Sequence, residues 1–133
     1  MIRSIHHVNI VVRDLEAAIG CYERVLGLAV TRRDELPERG ARLARFRLGG
    51  SWLVLVQPTR ADSVPGRFLA AHGEGLFLLS LGVASLEAEF DRLGPGAADG
   101  EVRSGADGWL VRDLARGSTC GALLQFCEDA QAG

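Results

Sequence analysis

The sequence predicts an α+β fold of two βαβββ modules, whose strands form a half-open, cup-shaped mixed sheet with the helices outside. Residues 5–26 supply the first observation, because an alternating strand, a capping residue and an amphipathic helix follow one another there. The second observation is a repeat: the motif LEA at 15–17 recurs at 86–88, and the same offset of 71 residues brings Gly50 onto Gly121. A match at one offset through two separated segments indicates a duplicated module.

The first module, residues 1–58, begins with a strand at 5–12, where apolar side chains recur at every second position. Asp14 is a typical N-cap residue, and the apolar positions after it recur with helical spacing until Gly27 ends the helix. The three further predicted strands are residues 28–34, 41–48 and 51–57, separated by a polar loop at 35–40 and by a Gly49-Gly50 hairpin turn.

Residues 59–75 are predicted to form a connector with a short helix at 66–71, and residues 76–129 to form the second module. This module opens with LFLLSLGV, a nearly continuous apolar run that is typical of a strand buried on both faces. Ser85 caps the next helix, and a glycine-proline pair ends it. The remaining predicted strands are residues 101–103, 109–113 and 121–127.

The composition excludes several classes of protein. With 133 residues, 47% of them hydrophobic, the chain is expected to form one domain, residues 1–133, around a substantial core. The net charge is −2 and no dense basic run is present, which argues against nucleic-acid and membrane-surface partners. No apolar stretch reaches the roughly 20 residues that span a bilayer. Three cysteines without a CxxC pair, and a start that lacks the layout of a secretory signal, predict a cytoplasmic protein.

Two segments carry a resemblance to a known family. The segment HHVNIVVRDLEAAIGCYERVLGL at 6–28, followed by the duplicated βαβββ pattern, resembles the vicinal oxygen chelate superfamily. That group includes glyoxalase I, extradiol dioxygenases, bleomycin-resistance proteins and methylmalonyl-CoA epimerase. The segment DSVPGRFLAAHGEGLFLLSLGV at 62–83 is most similar to the epimerase branch, which has a comparable FL…HGEG run before its second-module strand. The resemblance implies a homodimer and a divalent metal in the cup.

The resemblance also implies four metal-ligand positions, one on the first strand and one on the last strand of each module. His7 matches the expected histidine. Val54 lies where a glutamate or glutamine is expected, Leu78 where a second histidine is expected, and Gln125 where a glutamate is usual. The internal repeat supports this assignment, because His7 and Leu78, like Val54 and Gln125, are 71 residues apart. Hydrocarbon side chains cannot coordinate a cation, so we expect that the metal has been lost and that no cofactor is needed. The alternative is a divalent metal ion.

Seven residues are predicted to line the cup and contact a ligand: His7, Asn9, Trp52, Val54, Leu78, Ser80 and Gln125. A largely apolar lining with a few polar anchors is typical of small-molecule pockets. A structural interpretation stays open for several of them. His7 would then be a strand residue with a satisfied hydrogen bond, Asn9 and Ser80 would bond to each other, and Trp52 would be a packing residue.

Four charged or reactive side chains are harder to assign. Arg45 and Arg47 share one strand face, which predicts a solvated surface, and the alternative is that they hold a carboxylate or phosphate at the rim of the cup. Cys127 falls on the predicted cup face, where inert burial is expected. The sequence identifies no partner for Asp113.

Three functions follow from these patterns. The first is a metal-free small-molecule binding protein of the glyoxalase/bleomycin-resistance type with a degenerate metal site. The second is a divalent-metal-dependent lyase, epimerase or isomerase that acts through an enolate, as the resemblance implies for an intact site. The third is an accessory subunit whose own side chains fill the cup. The expected partners are a small-molecule ligand and a second copy of the chain, with no nucleic acid and no membrane.

Overall fold

The computed structural model describes residues 1–130, so residues 131–133 of the predicted domain lie outside the described range. Its element order is strand, helix and three strands, then a connecting helix, then the first series again. The α+β class and the two βαβββ modules are therefore confirmed. The elements are β1 (Ile2–Val11), α1 (Leu15–Leu26), β2 (Arg32–Leu36), β3 (Ala41–Leu48), β4 (Ser51–Pro58), α2 (Val64–His72), β5 (Gly75–Val83), α3 (Leu86–Leu93), β6 (Ala98–Ser104), β7 (Leu110–Leu114) and β8 (Leu124–Glu128).

The chain divides into two compact units. The first unit is His7–Phe77, and the second unit comprises Met1–His6 together with the chain from Leu78 onward. In the first unit β1 pairs with β4 in parallel, and β4 pairs with β3 and β3 with β2 in antiparallel fashion. In the second unit β5 pairs with β8 in parallel, followed by antiparallel β7 and β6. Each unit therefore contains a mixed sheet with the same pairing scheme.

Helix α1 forms the core of the first unit with one face of its sheet. The Asp14 side chain accepts a hydrogen bond from the amide of Ala17 at 3.2 Å, and Gly27 ends the helix in the left-handed conformation, with φ of 69°. The apolar stripe of α1 then packs on alternate residues of β3 and β4. The buried core residues are Val12, Leu15, Ile19, Ala44, Phe46 and Leu55.

The second unit repeats this construction. Ser85 accepts a hydrogen bond from the amide of Ala88 at 3.1 Å and so caps α3, as predicted. Phe90 of α3 packs against Phe126 of β8, with ring centroids 5.3 Å apart. The buried core residues are Val83, Leu86, Phe90, Ala97, Leu114 and Phe126.

Two strands begin at least three residues later than the sequence pattern predicts. The strand predicted at 28–34 is β2 at Arg32–Leu36, because the amide of Val30 donates to the Glu23 side chain at 2.9 Å instead of to a neighbouring strand. The strand predicted at 121–127 is β8, which starts at Leu124 after a turn in which Cys120 and Gly121 have positive φ. Side-chain and turn hydrogen bonds compete with strand pairing at both points.

The connector contains α2, one turn longer than the helix predicted at 66–71. Ser63 caps it by accepting from the amide of Gly66 at 3.1 Å. Among the helices of residues 1–130, none is long and apolar enough to cross a membrane.

Candidate ligand-binding site

Four of the predicted site residues lie side by side in the first unit. Because β1 and β4 are parallel, His7 lies opposite Trp52 and Asn9 lies opposite Val54. Residues two apart on a strand share a face, so all four side chains lie on one face of the sheet. Leu55, which packs in the core with α1, lies on the other face. The structure therefore brings these four residues together, in two adjacent rows across two strands.

Strand β3 adds positive charge to the same face. Arg45 lies opposite Val54 and Arg47 lies opposite Trp52. The carbon of the Arg45 guanidinium is 4.7 Å from the centroid of the Trp52 ring, and that of Arg47 is 5.0 Å from it. Both distances are within the range of cation–π attraction. The indole is thus in contact with two guanidinium groups.

Arg45 is buried, contrary to the solvated position that the sequence predicts. Its side chain is 0% exposed, and its Nε donates to Oδ2 of Asp34 at 2.8 Å. Burial of a guanidinium is tolerated only with such pairing. Arg47 is exposed and donates from Nε to the carbonyl of Gly49 at 2.7 Å. The prediction of a solvated face therefore holds for Arg47 and is wrong for Arg45.

Asn9 carries an unsatisfied acceptor on this face. Its Oδ1 is buried, and within residues 1–130 it has no hydrogen-bond partner. A buried polar atom without a partner costs about 1–3 kcal/mol, and an N–H or O–H group of a ligand would remove that cost. Asn9 therefore leaves one buried acceptor on this face, beside the row formed by His7 and Trp52.

In the second unit, the predicted site residues Ser80 and Gln125 form hydrogen bonds with side chains of the same unit. Ser80, fully buried on β5, donates its hydroxyl to Oε1 of Gln125 at 2.9 Å. Nε2 of Gln125 in turn donates to Oδ1 of Asp113 at 3.1 Å, and Asp113 accepts two bonds from Arg103, each at 3.1 Å. Leu78 lies two residues before Ser80 on the same strand and is half-buried. The structure joins Ser80 and Gln125 in a network that runs across four strands.

This network contains the residues that sequence reasoning missed. Asp113 finds its partners because β7 places it directly opposite Gln125, and Arg103 lies opposite Val111, two residues earlier on β7. Only the strand register reveals these contacts, since no spacing in the sequence marks them. Gln125 is 3% exposed, and its amide oxygen and nitrogen are both engaged.

Two further residues of the second unit, His6 and Cys127, are buried. His6 pairs through Nε2 with Oδ2 of Asp129 at 2.8 Å and packs edge-on against Trp109. Cys127 is fully buried, and burial, followed by the nearby carboxylates of Asp129 and Glu128, raises the pKa of its thiol to about 12. The thiol therefore stays protonated, which agrees with the inert burial expected from the sequence.

The sequence as a whole matches a known family. The model of the Glyoxalase/Bleomycin resistance protein/Dioxygenase superfamily matches residues 4–110. The chain belongs to this superfamily. The resemblance to its epimerase branch is also confirmed by the relatives described next.

Three relatives illustrate the relationship. Human mitochondrial methylmalonyl-CoA epimerase is 30% identical over 136 residues, which cover 95% of this chain and 73% of the human protein. The uncharacterized protein YqjC of Bacillus subtilis is 30% identical over 125 residues, 92% of this chain and 89% of its own. A variant of Streptomyces coelicolor methylmalonyl-CoA epimerase in complex with 2-nitronate-propionyl-CoA has a TM-score of 0.91 and 28% identity, covering 99% of this chain and 98% of that one.

The metal site that the superfamily resemblance implies does not fit the residues present. In the first unit His7 offers a nitrogen, but Val54 offers only carbon and has the buried Arg45 directly opposite. In the second unit Leu78 offers only carbon, and the amide oxygen of Gln125 already accepts from Ser80. A divalent cation requires several nitrogen or oxygen donors. The implied four-ligand set is therefore incomplete.

Proposed function

We propose that this protein binds a small molecule, an acyl-CoA ester, without a metal ion. The observation that carries the proposal is the pair of hydrocarbon side chains, Val54 and Leu78, at two of the four positions implied for metal ligands. The ligand class is taken from the Streptomyces coelicolor epimerase, whose complex contains 2-nitronate-propionyl-CoA and whose fold this chain shares over nearly its whole length. We expect a homodimer in the cytoplasm.

The face around Trp52 supports the binding role. A flat indole offers apolar area to a ligand at little cost in side-chain entropy. Asn9 supplies one unsatisfied acceptor, which suits an amide N–H or a hydroxyl of the ligand. Such a face recognises shape and hydrogen bonding, which a binding protein requires.

A second candidate is a divalent-metal-dependent epimerase, lyase or isomerase. The similarity to methylmalonyl-CoA epimerases and the retained His7 favour it. In that chemistry a metal supplies the positive charge that stabilises an enolate. The hydrocarbon side chains at Val54 and Leu78 and, separately, the bonded state of Gln125 count against the implied ligand set.

Thermal unfolding of the purified protein tests the proposal. In EDTA, we expect propionyl-CoA or methylmalonyl-CoA to raise the melting temperature, since ligand at 100 times its Kd stabilises a folded protein by about 2.7 kcal/mol. Trp52→Leu should weaken the effect by removing the indole, and Val25→Thr, an exposed helix position, is the control. If Trp52→Leu shows the same ligand-induced rise in melting temperature as the parent, the indole does not contact the ligand and this part of the proposal is wrong.

Metal analysis and isotope exchange separate the two candidates. A stoichiometric divalent ion in the purified protein, together with exchange of the α-proton of methylmalonyl-CoA in D2O, would establish the enzyme and overturn the metal-free proposal. Absence of any shift with acyl-CoA, aromatic and glycopeptide ligands would overturn the binding role itself.

A further inference from the structure

A cleft in the first unit lies apart from the face around Trp52. Its volume is about 430 Å³, and none of the seven predicted site residues lines it. The loop after β1, the end of β4 and the first turns of α2 form its walls. The lining residues are Arg13, Pro58, Thr59, Arg60, Ala61, Gly66, Leu69 and Ala70.

The lining is cationic. It includes two arginines and no acidic residue. Arg13 is 64% exposed and lies 3.6 Å from Glu74, and Arg60 is 51% exposed and lies 3.3 Å from Asp62. Exposed ion pairs of this kind are weak and screened by salt, so either guanidinium can turn to a stronger anion at little cost. The planar guanidinium fork binds phosphate through two parallel hydrogen bonds.

The walls of the cleft are fixed before any ligand arrives. The Ser63 hydroxyl donates to the carbonyl of Arg60 at 2.7 Å and accepts from the amide of Gly66 at 3.1 Å. A Cβ on Gly66 would lie 2.3 Å from that same carbonyl, so only glycine allows this close approach. These bonds fix the backbone of the wall, whereas the Arg60 guanidinium, which donates to the carbonyl of Pro37 over a long 3.4 Å, can still reorient. A preformed wall reduces the entropy that binding costs.

Apolar surface completes the cleft. Pro58, Leu69 and Ala70 line it beside the two arginines. The combination suits a ligand that carries phosphate on an apolar or flat body, because the hydrocarbon part contacts the wall while the phosphate meets the guanidinium groups. Inorganic phosphate would use only half of this surface.

We infer that this cleft binds the phosphorylated nucleotide end of the ligand, with Arg13 and Arg60 contacting its phosphates. The inference rests on the proposed acyl-CoA ligand, since a CoA ester carries phosphates at its nucleotide end, remote from the thioester. The face around Trp52 and the cleft then recognise opposite ends of one molecule.

Titration calorimetry with adenosine 3′,5′-bisphosphate and free coenzyme A tests the inference, because neither probe contains an acyl group. The double variant Arg13→Gln/Arg60→Gln should bind both probes at least tenfold more weakly, as expected for the loss of charge-assisted hydrogen bonds. Raising the salt concentration should weaken binding to the parent protein more than to the variant. Arg33→Gln is the matched control, because Arg33 is 50% exposed and ion-paired in the same unit but does not line the cleft.

The outcomes distinguish failure of this site from failure of the proposed function. Bisphosphate binding that the double variant loses and the Arg33→Gln control keeps supports the cleft, even if no acyl-CoA ester binds elsewhere. Equal binding of acyl-CoA to the parent and the double variant overturns the cleft and leaves the proposed function intact. The nucleotide assignment is also overturned if the parent fails to bind bisphosphate, or binds inorganic phosphate equally well. Backbone amide shifts of Ala61 and Gly66 on titration report the cleft directly, so a variant with reduced stability does not obscure the result.

Discussion

Gln125 is the residue whose replacement best separates a structural role from a metal-binding role. Its position is that of a glutamate in the ligand set implied by the superfamily, so Gln125→Glu restores the expected ligand with almost no change in shape. In this chain Oε1 accepts from Ser80 at 2.9 Å and Nε2 donates to Asp113 at 3.1 Å. The substitution keeps the first bond and replaces the second by a contact between two carboxyl oxygens.

The size of the effect follows from those distances. The loss of a hydrogen bond to a charged acceptor costs about 1.5–3 kcal/mol. Two carboxylates at this separation repel by about 5 kcal/mol at an effective dielectric constant of 20. The pair with Arg103 offsets part of this repulsion, and protonation of the introduced carboxyl at pH 7 limits it to about 4 kcal/mol. We expect a net loss of about 2–4 kcal/mol in the free energy of unfolding at pH 7.

The loss should depend on pH. The repulsion raises the pKa of the introduced carboxyl in the folded state, so the destabilisation grows as the pH rises above the ordinary glutamate pKa and is complete above the raised pKa. It decreases as the pH falls towards the ordinary glutamate pKa, where the group is neutral in both the folded and the unfolded chain. Gln125→Leu is the control, because it removes both hydrogen bonds without adding charge and should lose stability equally at pH 5 and pH 7.

Urea unfolding followed by circular dichroism at pH 5 and pH 7, with EDTA or with Mn²⁺, measures both effects. The reasoning is refuted if Gln125→Glu is as stable as the parent at pH 7 and gains further stability from Mn²⁺. That result would mean that the position still serves a metal ion and that the network with Asp113 is dispensable.

Three other outcomes follow from the packing and the pKa shifts. Leu55→Ala, at a fully buried core position, should lower the free energy of unfolding by about 2–5 kcal/mol in urea titrations, and a loss below 1 kcal/mol would contradict the assigned core. At pH 8, iodoacetamide should label the exposed Cys21 and Cys120 but not Cys127, whose pKa of about 12 keeps it a buried thiol; mass spectrometry of native and unfolded protein counts the labels. The hydrogen bond from the ammonium group of Met1 holds the pKa of Glu89 below its usual range. The ionised carboxylate therefore stabilises the fold at pH values above the ordinary glutamate pKa. This stabilisation is lost as the pH falls through the lowered pKa. Glu89→Gln should make stability less dependent on pH in that acidic range, and an unchanged pH profile would contradict the pairing.

Local signals in the sequence predicted the elements well. Asp14 and Ser85 cap the helices that their positions indicated, and the Gly49-Gly50 turn joins β3 and β4. These features depend on side-chain and backbone bonds within a few residues, so the sequence alone contains the information. The repeat at an offset of 71 also predicted that Ser80 and Gln125 would be placed like Asn9 and Val54, and the parallel registers of the two units agree with it.

The roles of the site residues could not be read in the same way. Burial of Arg45 and the pairing of Asp113 with Arg103 depend on cross-strand register, in which a shift of one residue reverses the face of every side chain. The sequence predicts Gln125 as a ligand contact, but its two bonds to Ser80 and Asp113 are visible only in the structure. Hydrogen-bond partners that are far apart in the sequence depend on the tertiary structure, so no local sequence pattern predicts them.

The two modules carry the same cross-strand ion pair with opposite polarity. Arg45 on β3 forms an ion pair with Asp34 on β2, whereas Asp113 on β7 forms an ion pair with Arg103 on β6. In both modules, the residue on β2 or β6 is in register with the position two residues before its ion-pair partner. If β2 of one module associated with β7 of the other during folding, two aspartates would meet, and β3 with β6 would bring two arginines together. In a chain built by duplication, a strand of one module could pair with the equivalent partner in the other module. The reversed polarity places like charges together in such a pairing, and their repulsion favours the correct hairpins.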